Sequence, residues 1–373
     1  MATIIDTAHS TQHTAHSTQH TAHSTQPPLS VKFEEYERER LDEIYDEVAP
    51  YSEMAKNERY FLNGIIRYLK PSKILEVGIA NGGGTVIILN AIRDLDNSYL
   101  ISADYCEKFY AGDSSKPSAS DKLSGWLIDD KFPYLKDKWT VYRGGDVSRY
   151  VEIIRGNIDM LVLDTAHSHP WETLNFLCVL PFMKKDSWCV LHDISLPIIG
   201  RFNDLACRYL YGHAASDIKV MPVSDYDSYF ANIGAFHVTE DTIKYVQNLF
   251  ESLLNLWTSV PDVYGKAIPG VFSPMRTEDF NDIKNIISKY YPQYMNLFNG
   301  AVKAQQDIAA KRIKEYRSLN GIWKRNLPLS YALIHTINTR ILKILSMSKN
   351  YVRHHFPRSF ETAKMLKRKL YGR

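Results

Sequence analysis

The chain has 373 residues, 45% of them hydrophobic, and a formal net charge of +3. That length can bury a substantial core and predicts about two domains. No run of about 18 or more apolar residues is free of charged residues, so the sequence predicts no membrane-spanning segment.

Four cysteines, Cys106, Cys178, Cys189 and Cys207, form neither a CxxC pair nor a zinc-type spacing. Most of them lie among apolar residues. Reduced core cysteines are typical of a cytoplasmic protein, and the first residues contain no apolar signal core. We therefore expect a cytoplasmic location.

The chain begins with a repeat, because TAHSTQH starts at Thr7 and again at Thr14, and TAHSTQ follows at Thr21. Threonine, serine, glutamine and histidine cannot bury enough apolar surface to fold alone. Residues 1–28 are therefore predicted to be a disordered heptad-repeat arm. The five histidines of the arm offer only weak metal binding, since no fixed geometry holds them.

Residues 29–54 are predicted to be a helical segment, since acids open the stretch KFEEYERERLDEIYDEV. Strand-like and helical patterns then alternate over residues 55–240, which predicts a doubly wound, mostly parallel α/β sheet of seven strands. The predicted strands are KILEVG, YLISAD, WTVYRG, IDMLVLD, SWCVLHD, IKVMPV and IGAFHV. The predicted helices include Thr85–Asp94, Val147–Ile154, Trp171–Met183 and Leu196–Tyr211.

Long helical patterns follow the predicted sheet and indicate a helical appendage over residues 241–326 that has no sheet of its own.

Charge is uneven along the chain. Residues 311–373 hold 16 Lys or Arg against two acids, a balance of +14, whereas the first 310 residues hold 29 against 40, a balance of −11. A mildly acidic body therefore carries a strongly basic tail, which indicates an anionic partner.

The tail, residues 327–373, also carries apolar residues at helical spacing, which makes it amphipathic. They are Leu333, Ile334, Ile337, Ile341, Ile344 and Leu345. This pattern predicts peripheral binding of residues 329–373 to an anionic membrane surface. Nucleic acid is a less favoured partner, because no recognition module appears. A solvated tail, or a helix docked on the acidic body, is the alternative.

A glycine-rich stretch, KILEVGIANGGGTVIIL, spans residues 73–89 and places Glu76, Gly78, Gly82 and Gly83 after the first predicted strand. In an open parallel sheet, ligands lie beyond the carboxyl ends of the strands. No lysine follows the glycines as in a nucleotide P-loop, and the spacing is not GxGxxG. A carboxylate with glycines suits a cationic ligand that has no pyrophosphate.

The pattern resembles the cofactor site of class I S-adenosylmethionine-dependent methyltransferases, and the resemblance covers about half the chain. It implies a Rossmann-like fold in which Asp104, at the end of the second strand, accepts the ribose hydroxyls. Asp146, in the GGDV stretch after the third strand, would receive the adenine amino group. Glu76, Gly78, Gly82 and Gly83 would complete the binding of S-adenosylmethionine.

The resemblance extends to the branch of metal-dependent small-molecule and sugar O-methyltransferases. In that branch, acids at the ends of strands four and five hold a divalent metal such as Mg²⁺ or Mn²⁺; here they are Asp164 and Asp193. His192 stands where a carboxylate is common, so it is either a metal ligand or a base. His167, in DTAHSHPWE, is the other candidate base, with helix capping as its alternative. For His169 we favour a structural role, because Pro170 follows it.

These observations predict a methyltransferase that acts on an oxygen of a sugar, a glycan or another polar small molecule. The proposed catalytic residues are His167, Asp164 and His192, and the proposed metal ligands are Asp164, Asp193 and His192. The link to glycan biosynthesis comes from the resemblance and from the membrane interpretation of the tail. Two alternatives stay open: an N- or protein methyltransferase, and a non-catalytic cofactor-binding adaptor that docks on membrane or nucleic acid.

Overall fold

The structure is a computed structural model. It describes residues 31–109, 122–195, 206–223, 231–261 and 273–326. In the last helix, side chains are described as far as residue 314. The repeat arm predicted over residues 1–28 and the basic tail predicted over 327–373 lie outside these residues. So does much of the helix predicted at Leu196–Tyr211.

A seven-stranded sheet forms the centre of the fold, with the strand order β3-β2-β1-β4-β5-β7-β6. The strands are β1 Lys73–Val77, β2 Tyr99–Asp104, β3 Trp139–Arg143, β4 Ile158–Leu163, β5 Met183–His192, β6 Lys219–Val220 and β7 Ile233–Val238. The first five pair in parallel, whereas β7 is antiparallel to both β5 and β6. All seven predicted strands are confirmed, and the chain crosses over at β1, where the order reverses.

The described helices lie between the strands, before β1 and after β7. They are α1 Glu39–Asp42, α2 Tyr45–Val48, α3 Lys56–Leu69, α4 Gly83–Ile92, α5 Trp126–Lys131, α6 Val151–Ile154, α7 Trp171–Val179, α8 Ala206–His213, α9 Glu240–Lys244, α10 Gln247–Ser252, α11 Thr277–Tyr290 and α12 Met295–Asn326. The N-terminal helices and the C-terminal helix are present as predicted. None of the described helices is both long enough and apolar enough to cross a bilayer.

Strand β1 and helix α4, at the centre of the sheet layer, are buried on nearly all sides. Every residue of β1 is buried, and α4 buries nine of its ten residues. A parallel strand is commonly covered on both faces, and in β1 this burial includes the charged residues Lys73 and Glu76. A helix that is apolar all round must likewise be enclosed, so this pair fixes the position of the glycine loop between them.

Contacts within the chain define two compact units. The first comprises Met1–Thr165, Phe182–Gly200 and Ser216–Glu240, and it contains the seven-stranded sheet. The second comprises Ala166–Pro181, Arg201–Ala215 and Asp241–Arg373. It therefore takes in two segments that lie inside the range 55–240, which the sequence pattern treats as one domain.

The second unit contains a small sheet, so the prediction of an appendage without one is wrong. Strand β8, Ser259–Pro261, pairs in parallel with β9, Ser273–Met275. Each strand has three residues, which is too short for a period-two pattern to stand out in the sequence. Within this unit, α7 packs against α8 and α11.

Candidate active site

The carboxyl ends of the parallel strands are tied together by backbone hydrogen bonds. The Gly78 N–H after β1 donates to Ala103 O in β2 at 2.9 Å, and Asp164 N after β4 donates to Val77 O at 2.9 Å. Residues that follow β1, β2, β4 and β5 therefore meet at one edge of the sheet, where open α/β sheets bind their ligands.

Two glycines of the loop are fixed by their backbone conformation. Gly78 has φ +92° and Gly82 has φ +102°, a region that L side chains rarely adopt. A Cβ at Gly78 would lie 1.8 Å from Asp164 O, and one at Gly82 would lie 2.7 Å from the Ile128 side chain. Their assignment as cofactor-contacting residues stays a prediction, as it does for Gly83.

Gly83 begins α4 and has a different requirement, because a Cβ there would lie 2.6 Å from Tyr51 O. Asn81 organises this helix start: its side-chain oxygen accepts a hydrogen bond from Gly83 N at 2.9 Å, and its amide donates to Tyr51 O at 2.6 Å. These glycines let the loop, the first turn of α4 and the preceding chain pack at backbone distance.

Glu76 lies buried beneath the glycine loop and is 3% exposed. Its carboxyl accepts hydrogen bonds from Thr85 Oγ1 at 2.9 Å and from Ser102 Oγ at 2.6 Å, and Ser102 Oγ accepts one from Trp139 Nε1 at 2.9 Å. Desolvation raises the pKa of Glu76 to about 8, against the hydrogen bonds that lower it, and Asp164 and Asp104 raise it further.

Sequence analysis missed Thr85 and Ser102 as partners of Glu76. One signal was available, since Ser102 interrupts the apolar run of β2 at the position paired with Glu76. A buried polar residue in a central strand needs a hydrogen-bond partner.

Asp104, at the end of β2, holds the glycine loop by its backbone. Its Oδ2 accepts hydrogen bonds from Ile79 N at 2.8 Å and Ala80 N at 3.1 Å, and its Oδ1 accepts one from Cys106 N at 2.7 Å. Burial raises the pKa of this carboxyl, although these bonds act in the opposite direction. A carboxylate offers about four acceptor positions. The backbone uses three of them, so acceptance of both ribose hydroxyls would need one to be shared.

Asp146 is buried and begins a short 3₁₀ turn after β3, where its Oδ1 accepts a hydrogen bond from Ser148 N at 2.9 Å. Capping is a structural role that Asp commonly fills. The predicted contact with an adenine amino group stays a prediction.

Three carboxyl groups surround the buried imidazole of His192. Asp164 Oδ1 and Asp193 Oδ2 each lie 3.4 Å from Nδ1, and Glu58 Oε2 lies 3.3 Å from Nε2. Burial opposes protonation of His192, but the charges of Asp164 and Asp193 prevail and raise its pKa well above the usual range. We call this group the His192 cluster: Glu58, Asp164, His192 and Asp193.

The structure thus brings together the three predicted metal ligands, and it adds Glu58, which sequence analysis missed. Glu58 lies in the first turn of α3, accepts hydrogen bonds from Ala55 N at 2.7 Å and Asn232 N at 3.0 Å, and is 4% exposed. The signal for it was weak, because an acid near a helix N-terminus is ordinarily a surface residue.

His167 belongs to the second unit and has φ +54°. Its backbone N–H donates to Glu172 Oε1 at 2.7 Å, and its ring is about one quarter exposed. His169 is 1% exposed, and burial lowers its pKa to about 4. Its carbonyl accepts hydrogen bonds from Thr258 N and Ser259 N. His169 therefore has the structural position that we favoured, just before α7.

The described acids of the first unit fit a cationic ligand. Three carboxyl groups face one imidazolium in the His192 cluster. This excess of negative charge favours a sulfonium and an ammonium, whereas a phosphate would be repelled. The residues present therefore fit S-adenosylmethionine better than a nucleotide.

Comparison with known proteins places part of the chain in a family. Residues 75–194 match a family model described as a methyltransferase domain. That range runs from β1 to the residue after Asp193, and it includes the glycine loop, Asp104 and most of the His192 cluster. A search among curated proteins found no significant match.

Similar solved structures include an O-methyltransferase from Bacillus cereus in complex with SAH, with 14% identity, 53% of this chain and 90% of that chain covered, and a TM-score of 0.37. TomG, an O-methyltransferase from Streptomyces achromogenes in complex with SAM, has 14% identity over 56% and 92% of the two chains and a TM-score of 0.37. Spermidine synthase from Thermotoga maritima has 14% identity over 47% and 55%, with a TM-score of 0.31.

A shared fold does not by itself identify an activity. The matched domain is more informative, because it coincides with the elements that build the site. Residues 75–194 are therefore similar to a methyltransferase domain, and this range contains the glycine loop, Asp104 and most of the His192 cluster.

Proposed function

We propose that this protein transfers the methyl group of S-adenosylmethionine to an oxygen of a polar small molecule, with a sugar or glycan hydroxyl as the favoured acceptor. One observation supports the proposal above the others. The His192 cluster places Asp164 and Asp193, from the ends of β4 and β5, at equal distances from one imidazole nitrogen. In the O-methyltransferase branch that the sequence resembles, acids at these strand ends hold a divalent metal beside the acceptor hydroxyl.

Binding of the cofactor is assigned to the glycine loop and its supports. Backbone atoms of residues 78–83 would line the amino-acid part, and Asp104 would accept a hydrogen bond from a ribose hydroxyl. The bound cofactor supplies an electrophilic methyl group on a sulfonium. Nearby carboxyl groups would attract the positively charged sulfonium of the bound cofactor and help to position it.

The acceptor hydroxyl needs a group that takes its proton as the new O–CH₃ bond forms and the S–CH₃ bond breaks. We assign this role to His167, because its ring is partly exposed and its backbone N–H donates to Glu172. His192 is less suited to be the base, since Asp164 and Asp193 favour its protonated form. A positioned base typically contributes ~10²–10⁴ in rate.

A divalent metal is a further element of the proposal. Asp164 and Asp193 are oxygen donors of the kind that Mg²⁺ prefers, and the excess negative charge of the His192 cluster fits a cation. These two residues would hold the metal, which would lower the pKa of the acceptor hydroxyl. His192 would then act as a charged support for both carboxylates, because its imidazolium form is a poor ligand.

An acceptor panel tests the proposal. Full-length protein is incubated with methyl-labelled S-adenosylmethionine and with sugars, nucleotide sugars, phenols, amines and peptides, with and without chelator. We expect label on a hydroxyl compound, and we expect Asp164→Ala and His167→Ala to lower turnover ~10²–10⁴. Label only on amines or peptides would replace O-methylation by N- or protein methylation. Cofactor binding without transfer to any class would favour the adaptor alternative.

The basic tail carries a separate proposal about location. We propose that residues 329–373 bind an anionic membrane surface, where glycans on lipid carriers would be available as acceptors. The support is the +14 charge balance of residues 311–373 together with the apolar residues at helical spacing.

A further inference from the structure

Three side chains of different chemistry converge within the second unit. His167 lies in the segment before α7, Glu172 is the second residue of α7, and Cys207 is the second residue of α8. One ligand atom from each lies within 4.8 Å of the other two. The three residues combine an imidazole, a carboxylate and a thiol, which together are the donor types of transition-metal sites.

Packing of the two helices fixes two of the donors. Glu172 is fully buried and Cys207 is 1% exposed, and α7 packs against α8. Trp171 Nε1 donates to Ser259 Oγ at 2.9 Å, which anchors the first turn of α7 on β8. The cluster is therefore held by buried elements of one unit and is unlike a chance meeting of mobile surface side chains.

His167 is the adjustable member of the set. Its backbone N–H donates to Glu172 Oε1 at 2.7 Å, while its ring Nδ1 lies 4.0 Å from the same oxygen. Its side chain is 24% exposed, although the Nδ1 atom itself is buried. A small rotation of the ring would bring its nitrogen toward a shared ion, because the backbone is already anchored.

We propose that His167, Glu172 and Cys207 bind a zinc-class divalent cation through an imidazole, a carboxylate and a thiolate. Zinc takes Cys sulfur at about 2.3 Å, His nitrogen at about 2.0 Å and carboxylate oxygen at about 2.0–2.2 Å, commonly in a tetrahedron. Donors already within 4.8 Å of one another need only a modest contraction to reach that geometry. Three protein ligands leave a fourth position for water.

Donor softness separates the two metals. A thiolate selects zinc, whereas Mg²⁺ and Ca²⁺ require oxygen ligands. Binding converts the Cys207 thiol to a thiolate and releases its proton to solvent. Occupancy also engages the imidazole of His167. If His167 is the base of the proposed reaction, zinc inhibits turnover by withdrawing that base; this consequence rests on the proposed function, whereas metal binding does not.

Cobalt titration of the chelator-treated full chain tests the site directly. Co²⁺ bound by a thiolate gives a near-ultraviolet charge-transfer band and visible bands of a tetrahedral ion. The five histidines of the repeat arm can also bind Co²⁺, but the arm contains no cysteine and cannot give the thiolate band. We expect one equivalent of thiolate-bound Co²⁺, displaced by one equivalent of Zn²⁺ and unaffected by excess Mg²⁺.

Cys207→Ala should remove the band, and Glu172→Gln should weaken binding at least tenfold. Cys178→Ala is the matched control, because Cys178 is a buried cysteine of α7 in the same unit. Circular dichroism checks that each variant is folded. Zinc-edge X-ray absorption of the unaltered chain needs no variant and should show one sulfur neighbour at about 2.3 Å.

Two results would overturn the proposal: no thiolate band in the unaltered chain, or a band that persists in Cys207→Ala. The inhibition is measured separately, as turnover against Zn²⁺ concentration in the unaltered chain and in Cys207→Ala. If no acceptor is ever methylated, the proposed function fails while the cobalt spectrum still decides the metal site.

Discussion

Glu58 and His192 form a buried pair within the first unit, with 3.3 Å between Glu58 Oε2 and His192 Nε2. The two residues are 134 positions apart in sequence. Desolvation raises the pKa of Glu58, but hydrogen bonding and attraction to His192 outweigh it, so the net pKa is lowered. The pair joins the first turn of α3 to the carboxyl end of β5, where the predicted chemistry lies.

Glu58→Gln should lower the free energy of unfolding by roughly 1–3 kcal/mol, because an amide hydrogen would face a backbone N–H or an imidazolium. A double-mutant cycle with His192→Gln, measured by urea unfolding, should show coupling. The contribution should be present above the ordinary pKa of 4.5 and lost as pH falls through the lowered pKa of Glu58. The exposed Glu47→Gln is the control and should stay within about 0.5 kcal/mol. Additive effects of Glu58 and His192 would contradict the pairing.

Glu76 should give the opposite pH dependence. Its folded pKa of about 8 lies above the ordinary 4.5, so the folded state binds more protons between these values. Stability should therefore fall as pH rises from about 4.5 to about 8, with a slope from this group of at most about 1.4 kcal/mol per pH unit. Glu76→Gln should flatten the pH profile of urea unfolding over that interval. The exposed Glu53→Gln should leave the profile unchanged, and an unchanged Glu76→Gln profile would show that the carboxyl is ionised.

Gly78→Ala should cost more than about 2 kcal/mol of stability, because φ +92° and the 1.8 Å approach to Asp164 O both oppose a side chain. Gly212→Ala is the matched control: Gly212 lies in α8, and a Cβ there would meet nothing within 4 Å. That change should stabilise the helix by roughly 0.5–1 kcal/mol. The melting temperatures of the two variants are measured by thermal unfolding. Equal melting temperatures would mean that the glycine loop can relax around an added side chain.

Asp104→Ala should weaken S-adenosylmethionine binding by roughly 1.5–3 kcal/mol, or about 10–150-fold in Kd. The reason is twofold: a ribose acceptor is lost, and the backbone of Ile79, Ala80 and Cys106 loses its anchor. Titration calorimetry with S-adenosylmethionine and its demethylated product measures the effect, with NAD and ATP as ligands that should not bind. Asp96→Ala, an exposed acid outside the loop, should bind normally. NAD binding without S-adenosylmethionine binding would overturn the cofactor assignment.

A chain ending at Asn326 should bind cofactor normally and lose sedimentation with anionic vesicles. Charge alone gives binding that salt dissociates, since screening is strong beyond ~8 Å at physiological ionic strength. Arg340→Gln with Lys343→Gln should therefore reduce the salt-sensitive part, whereas Ile337→Ser with Ile341→Ser should reduce the salt-resistant part. If the full chain does not sediment with anionic vesicles at low salt, or if the shortened chain unfolds, the membrane proposal fails.

The sequence by itself determined the order of the seven sheet strands along the chain and the position of the glycine loop. Both depend on local pattern. β1 and β4 are mostly apolar because parallel strands are covered on both faces. The resemblance to methyltransferases rested on residues at strand ends, Gly78, Asp104 and Asp164, whose spacing follows from the alternation of strand and helix.

Tertiary structure alone decided which side chains act on one another. Glu58 joins His192 across 134 positions, and Ser102 meets Glu76 through strand pairing. Segments 166–181 and 201–215 join the second unit despite lying within the sheet-forming range. No local pattern records such pairings, because they follow from long-range packing. The shifted pKa values of Glu76 and His192 likewise arise from burial and neighbouring charges, which the sequence does not encode position by position.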